Sequence, residues 1–349
     1  MSLDNATAPP ARRIQIDGGP SFTAASDDVL LRAALRAGLS LPYECNVGGC
    51  GGCRFELLEG EMATLWEAAP GLSERERKRG KRLACQSQPL SDCRIRVRLD
   101  DSEPAAALRP QRVQARLLAR RPVTPDMTEF TFGIDGALPD FWPGQYALLH
   151  LPGVPGARAY SLSNLANGAG QWQFVIRRVP GGRGSAAVFD LPLGAPLELD
   201  GPYGHAHLRA SEREVVCIAG GSGLGPMLSV ARGALAESAE SGQAQRRIHF
   251  FLGLRTQAEL GAAQAVQALA DPRLTLHTVL SSPEPQADGT GWTGATGWIH
   301  AEVERVLGPQ LDRYDFYFAG PPPMVEALQD LLMVRHRVPF GQIHFDRFC

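Results

Sequence analysis

The sequence predicts a multidomain protein of mixed α+β and α/β class, built from three modules joined in series. Three observations carry this prediction. Four cysteines between residues 45 and 85 sit on and after a glycine-rich loop, within a stretch of short strands. From Val113 to about Leu208, brief alternating strands are separated by Pro-Gly turns, the pattern of a small antiparallel barrel. From Glu212 onward, apolar strands alternate with helical stretches, the pattern of a parallel α/β sheet. A chain of 349 residues has room for two or three such domains.

Residues 1–12 read as a tail and 13–101 as the first module. Ile14 and Ile16 alternate with polar neighbours, as a half-buried strand requires. Asp27 and Asp28 are expected to cap a helix whose apolar face is Leu30, Leu31, Ala34 and Leu35, and Gly38 ends it. Then come Cys45, Cys50 and Cys53 at C-x4-C-x2-C spacing, with Cys85 beyond. A [2Fe–2S] cluster held by four thiolates calls for this plant-type arrangement, three ligands on one tight loop and a fourth from elsewhere. Gly48, Gly49, Gly51 and Gly52 let the backbone curl closely and leave N–H groups free to bond sulfur. Zinc would favour paired C-x2-C knuckles, and Cys85 has no partner thiol two to four residues away. A disulfide loop is the other alternative. Cys93 and Cys217 lie in strand patterns and read as inert fillers.

Residues 102–109 have the composition of a linker, and 110–208 form the barrel module. Arg158-Ala-Tyr160-Ser161 lies on a barrel strand. Alternation places Arg158 and Tyr160 on one face and Ser161 on the other. A flavin needs an aromatic ring against its isoalloxazine, a hydroxyl near N5 and a cation for its pyrophosphate, and each residue type is present. Pro180-Gly-Gly182-Arg-Gly-Ser185 then enters a helical stretch, so free N–H groups and a positive dipole end face a phosphate.

In residues 209–349, Gly220-Gly221-Ser222-Gly223-Leu-Gly-Pro226 follows the strand Val215 to Ala219 and opens a helix. Its glycines permit close approach to a pyrophosphate, although Pro226 replaces the last glycine of G-x-G-x-x-G. Gly320-Pro321-Pro322-Pro323-Met324 ends the last strand of the series, where ligands of open α/β sheets bind. After the second strand comes Arg255-Thr-Gln-Ala-Glu259. A 2′-phosphate would call for a concentrated basic pocket, and only Arg255 is basic. Glu259 would repel a phosphate and accept bonds from a ribose hydroxyl, which favours NADH over NADPH.

In this order the motifs resemble the ferredoxin–NADP reductase superfamily, and more narrowly the reductase components of bacterial aromatic-ring oxygenases. Leu-Pro-Tyr-Glu-Cys (41–45), Arg-Ala-Tyr-Ser (158–161) and Ile-His-Phe-Asp-Arg-Phe (343–348) support this. The resemblance implies a β-grasp-like ferredoxin domain, an antiparallel β-barrel flavin domain and a parallel α/β nicotinamide-binding domain. It implies iron ligation by Cys45, Cys50, Cys53 and Cys85. It places FAD on Arg158, Tyr160 and Ser161, with Ser161 near N5 and the pyrophosphate on Gly182 and Ser185. Gly221, Ser222 and Gly223 would contact the dinucleotide, and Gly320, Pro321 and Met324 the nicotinamide side. Phe348 would stack on the flavin, and Asp346 would assist proton movement. The family's usual cysteine before Gly-Pro-Pro is Ala319 here, and Cys349 is an extra residue at the end.

The cofactors expected are therefore FAD, a [2Fe–2S] cluster and NADH. Electrons would pass from NADH to FAD, then to the cluster, then singly to an oxygenase or an intermediary ferredoxin. A stand-alone reductase of soluble acceptors and a non-enzymatic redox sensor are the alternatives. Formal charge is −2, so no basic domain suggests nucleic acid, and no apolar run approaches membrane-spanning length. An odd cysteine count without an export signal suggests a reducing cytoplasm. A monomer is the expected state. Arg75, Arg77, Lys78, Arg79, Lys81 and Arg82 crowd before Cys85, interspersed with Glu74 and Glu76. They read either as a steering surface for an acidic acceptor or as a solvated polar segment.

Overall fold

The computed structural model describes residues 11–100, 108–136, 139–240, 246–284 and 291–347. Most of the stretches read as tail and linker lie outside these residues. The strand β1 (Ala11–Ile16) begins two residues inside the expected tail. The chain divides into two compact units at Gln111/Arg112.

In the first unit, β1 pairs antiparallel with β2 (Ser21–Ala25), and helix α1 (Leu30–Arg36) follows. Next come β3 (Arg54–Glu59), β4 (Met62–Thr64), α2 (Glu74–Lys78), β5 (Lys81–Leu83), β6 (Ser87–Pro89) and β7 (Cys93–Arg96). The main sheet has the order β2-β1-β7-β3-β5, with β1 and β7 parallel. α1 packs against β2, and its Leu30, Leu31 and Ala34 are buried along with Ile14 and Phe22 of the sheet, giving the β-grasp-like layer of helix on mixed sheet. The expected aspartate cap is corrected here. Val29 holds the cap position, while Asp28 accepts the Val29 N–H and a 2.6 Å ion pair from Arg36. Gly38, at φ +82°, turns the chain out of the helix toward the cysteine loop.

The second unit starts with the barrel: β8 (Gln111–Pro122), β9 (Met127–Ile134), β10 (Tyr146–His150), β11 (Arg158–Ser161), β12 (Gln171–Arg177), α3 (Arg183–Asp190) and β13 (Pro196–Tyr203). Its order is β11-β10-β13-β8-β9-β12, and a bridge between Leu162 and Phe174 brings the two edges together. Phe130, Phe132, Trp172 and Phe174 fill the interior. The nearly closed barrel leaves little edge to protect.

The parallel sheet follows: β14 (Glu214–Gly220), α4 (Leu224–Glu240), β15 (Ile248–Leu254), α5 (Gly261–Gln267), β16 (Leu274–Leu280), β17 (Ala295–Thr296), α6 (Ile299–Leu307), β18 (Tyr314–Gly320), α7 (Pro322–Gln329) and β19 (Ile343–Arg347). The order is β17-β16-β15-β14-β18-β19, and its pairings are parallel. Strand alternation sends Val215, Cys217 and Ala219 to the layer that holds Leu224 and Met227 of α4. Val216 and Ile218 go to the opposite layer, with Val303 of α6 and Leu328 of α7. Barrel and parallel sheet form one unit because Val123, Met127, Val175 and Leu208 of the barrel share the first of these cores.

Candidate functional site

In the first unit, the backbone of the 45–53 loop turns its N–H groups onto sulfur. Cys50 N donates to Cys45 Sγ at 3.3 Å, Cys45 N to Cys50 Sγ at 3.5 Å, and Gly52 N to Cys50 Sγ at 3.4 Å. Gly51, at φ +79°, has no room for a side chain, since a β-carbon would lie 2.2 Å from Gly71 O. The thiols meet two by two. Cys50 bonds Cys45, which together with burial pushes the Cys50 thiol above its ordinary range. Cys85 is buried and bonds Cys53, which pushes the Cys85 thiol up. No disulfide joins Cys45, Cys50, Cys53 and Cys85. Among the described residues no three His, Cys, Asp or Glu side chains are grouped as a single metal ion requires. Two thiol pairs, one half-buried and one buried, with backbone N–H donors turned onto the first, fit a two-iron cluster with one pair per iron.

In the second unit, β11 carries Arg158, Tyr160 and Ser161, all half-buried, opposite Leu149, Ala147 and Tyr146 of β10. Burial pushes the Tyr160 hydroxyl up to about 12. Arg158 reaches the glycine turn before α3: a β-carbon on Gly184 would lie 2.9 Å from Arg158 Cγ. Gly182 is the cap residue of α3 and supplies no side-chain bond, so the first-turn N–H groups stay available to an anion. Ser185 Oγ accepts from Val179 N at 3.0 Å and donates to Gly182 O at 3.2 Å, which holds the turn in shape. Arg158, Gly182 and Ser185 are thus gathered into one cradle suited to the FAD pyrophosphate.

The dinucleotide loop is a short 3-10 turn, Gly221–Gly223, between β14 and α4. Here β15 runs from β14 to one side and β18 to the other, so the loop lies at the switch point of the sheet. Packing explains its glycines. A β-carbon on Gly223 would lie 1.9 Å from Ala319 O, and one on Gly220 would lie 2.5 Å from Met324 Sδ. Gly320 and Met324 therefore close against Gly220, and Pro321 precedes α7 at the same carboxyl edge. Gly225, in the first turn of α4, faces the end of β11, with its β-carbon position 3.7 Å from Ser161 O. The flavin strand thus comes up against the start of α4, directly after the dinucleotide loop. Asp346 lies on β19 opposite Ala319 in register and is half-buried, and Phe348 lies outside the described residues.

Arg255 and Glu259 are joined within the second unit. Glu259 Oε2 accepts the Arg255 N–H at 2.8 Å, and Glu259 Oε1 takes Arg177 Nη2 at 2.9 Å. Glu259 is thus tied both to its own segment and to the barrel.

Three family descriptions match the chain: a 2Fe-2S iron-sulfur cluster binding domain over residues 14–90, an oxidoreductase FAD-binding domain over 114–208, and an oxidoreductase NAD-binding domain over 217–330. The chain is 39% identical over 341 residues to the alkene monooxygenase system ferredoxin–NAD(+) reductase component of Xanthobacter autotrophicus, covering 96% of this chain and all of that one. It is 38% identical over 340 residues to ferredoxin–NAD(P)(+) reductase CarAd of Metapseudomonas resinovorans, covering 96% and 99%. This chain belongs to the family of oxygenase reductase components. The solved ferredoxin reductase in carbazole 1,9a-dioxygenase superposes with a TM-score of 0.87 at 37% identity, over 97% of this chain and 99% of that one. The cofactors of this reductase family member are FAD, a [2Fe–2S] cluster and NADH.

Sequence reasoning missed Arg177. This residue ends β12 in the barrel, pairs with Asp126 at 3.0 Å and with Glu259, and lays its guanidinium 3.0 Å from the β-carbon position of Gly221. One cation thus joins the flavin module, the dinucleotide loop and the Arg255–Glu259 segment. Its partner Glu259 is 82 residues away, and no local pattern could have linked them. Ser229 of α4 was also missed: it donates to Asn164 O at 2.8 Å and accepts Gly144 N at 3.2 Å, a second tie between sheet and barrel.

Proposed function

We propose that this chain is the NADH-dependent electron-transfer reductase of a multicomponent oxygenase, taking electrons in pairs and releasing them singly to an oxygenase component or an intermediary ferredoxin. The approach of Ser161 on the flavin strand to Gly225, in the turn of α4 that directly follows the dinucleotide loop, carries the reading. A nicotinamide laid along that loop would reach a flavin held by β11 without any rearrangement of the core. When bound, FAD and the cluster supply the conversion of a two-electron hydride donation into one-electron deliveries.

The chain's own groups do the placing. Gly220, Gly221 and Gly223 let the dinucleotide backbone approach the start of α4, and Arg177 fixes the loop relative to the barrel. Met324 and Pro321 would line the nicotinamide side, and the Ser161 hydroxyl would bond the flavin near N5. Asp346 is in register to hold or pass a proton at the carboxyl edge of the sheet. The loop N–H groups on Cys45 and Cys50 favour the thiolate state that iron requires. Cytoplasmic residence and a monomeric state complete the proposal.

Anaerobic NADH titration tests it. The purified protein should show flavin and iron–sulfur absorption, both bleached by NADH, and should then support turnover of an oxygenase. Bleaching with turnover only on small soluble acceptors would move the assignment to a stand-alone reductase. No bleaching would end the enzymatic reading.

A further inference from the structure

A cleft of about 500 Å³ opens in the first unit between β4, the loop after it, β5 and the turn that carries Cys85. It adjoins the cluster loop. A β-carbon on Gly48, between Cys45 and Cys50, would meet Trp66 Cε3 at 3.2 Å and Gln86 Cδ at 3.3 Å. Gln86 Nε2 also lies 3.8 Å from Cys85 Sγ. Trp66 and Gln86 both line the cleft, so its occupant is one residue layer from the thiolate loop.

The lining has an apolar and a basic part. Trp66 is 46% exposed and its neighbour Leu65 53%. Arg77 and Arg82 are held by carbonyls: Arg77 Nη2 donates to Ala69 O, and Arg82 Nη1 to Met62 O at 3.2 Å. Carbonyl partners fix a guanidinium without cancelling its charge. Other cations of this region are neutralised, Lys78 by Glu74, Arg54 by Glu76 and Lys81 by Glu56. Glu67 is the single carboxylate among the lining residues. Of the six cations in the basic run, Lys78 and Lys81 are paired with carboxylates, and Arg77 and Arg82 are the arginines of the run that line the cleft with the exposed indole.

Building on the function proposed above, we propose that this cleft is the electron exit port, the docking site of an acidic iron–sulfur protein. The partner would set a carboxylate on Arg77 and Arg82 and an apolar side chain against Trp66. One electron then leaves the reduced cluster and one oxidised iron centre of the partner is reduced; no bond forms or breaks.

The test uses the full holoprotein with variants Trp66→Ala, Arg82→Glu and the charge-conserving Arg82→Lys. Three rates are read: bleaching of the cluster by NADH in stopped flow, reduction of an acidic [2Fe–2S] ferredoxin, and reduction of cytochrome c, a basic protein. Trp66→Ala and Arg82→Glu should each slow ferredoxin reduction about tenfold at low salt. The Arg82→Glu loss should fade at high salt and the Trp66→Ala loss persist, since only the first is electrostatic. Arg82→Lys should stay near wild type, and cluster bleaching and cytochrome c reduction should not fall. Unchanged ferredoxin reduction in both variants would overturn the port. So would slowed cluster bleaching, which would make the cleft an internal entry, or a wild type that reduces cytochrome c and not the acidic ferredoxin. A wild-type cluster that NADH never bleaches would sink the proposed function itself, a separate result.

Discussion

Gly223→Ala offers a stringent test of how the dinucleotide loop works. A β-carbon there would lie 1.9 Å from Ala319 O and 2.5 Å from its carbonyl carbon, where real β-carbons stay beyond 3.0 Å. One side must retreat by about 1.1 Å. Ala319 is held in register between Ala219 of β14 and Asp346 of β19, so the loop gives way. A displacement of about 1 Å in a positioning element can cost about 100-fold in rate. The expected result is a fall of about 100-fold in kcat/KM for NADH, read with ferricyanide as acceptor. Flavin and iron content should be retained, because Arg158 and Gly182 lie on β11 and at α3 and the cysteines belong to the first unit. Gly341→Ala is the control, since a β-carbon there meets nothing within 4 Å. If Gly223→Ala stays within about threefold of wild type, the argument that loop packing places the nicotinamide is refuted.

Three further outcomes are expected. Cys85→Ser should strip acid-labile sulfide and iron-bound absorption and abolish delivery to protein acceptors, while NADH oxidation with ferricyanide continues through the flavin; retention of a full cluster would contradict the ligand assignment. Arg177→Met should strand Glu259 and Asp126, costing about 1–2 kcal/mol after allowance for their partial exposure, and raise KM for NADH; denaturant midpoints and NADH kinetics check both. Burial holds the His344 pKa down at about 4, below the ordinary 6.5, so the folded state refuses a proton that the unfolded chain accepts. Stability is full above pH 6.5 and is lost as pH falls toward 4, amounting to about 2 kcal/mol by pH 5. His344→Phe, which can keep the stacking on Tyr317, should flatten this part of the pH profile in denaturant titrations at pH 7 and pH 5.

The legible parts of the molecule share one property: their chemistry is local in sequence. The three cysteines at 45, 50 and 53 and their glycines fall within nine positions, so one loop tells most of the story. Ser161 and Tyr160 were readable from strand alternation, and Gly182 and Ser185 from the turn that feeds α3. The Asp28 cap was misread because Arg36 competes for its carboxylate, leaving the cap position to Val29. The Arg177–Glu259 ion pair was not legible, since its two partners come from different modules. The six-residue basic run gave no hint of which cations act together; only folding paired Lys78 with Glu74 and Lys81 with Glu56, and set Arg77 and Arg82 along one cleft.

By itself the sequence determined the kinds of site present, because ligand type, glycine placement and strand period are properties of neighbouring residues. Tertiary structure alone decided which sites touch. It brought Gly225 to Ser161, wedged Gly223 against Ala319, and gave Glu259 its counter-charge, because contacts across the core depend on how strands are ordered in a sheet and not on their spacing along the chain.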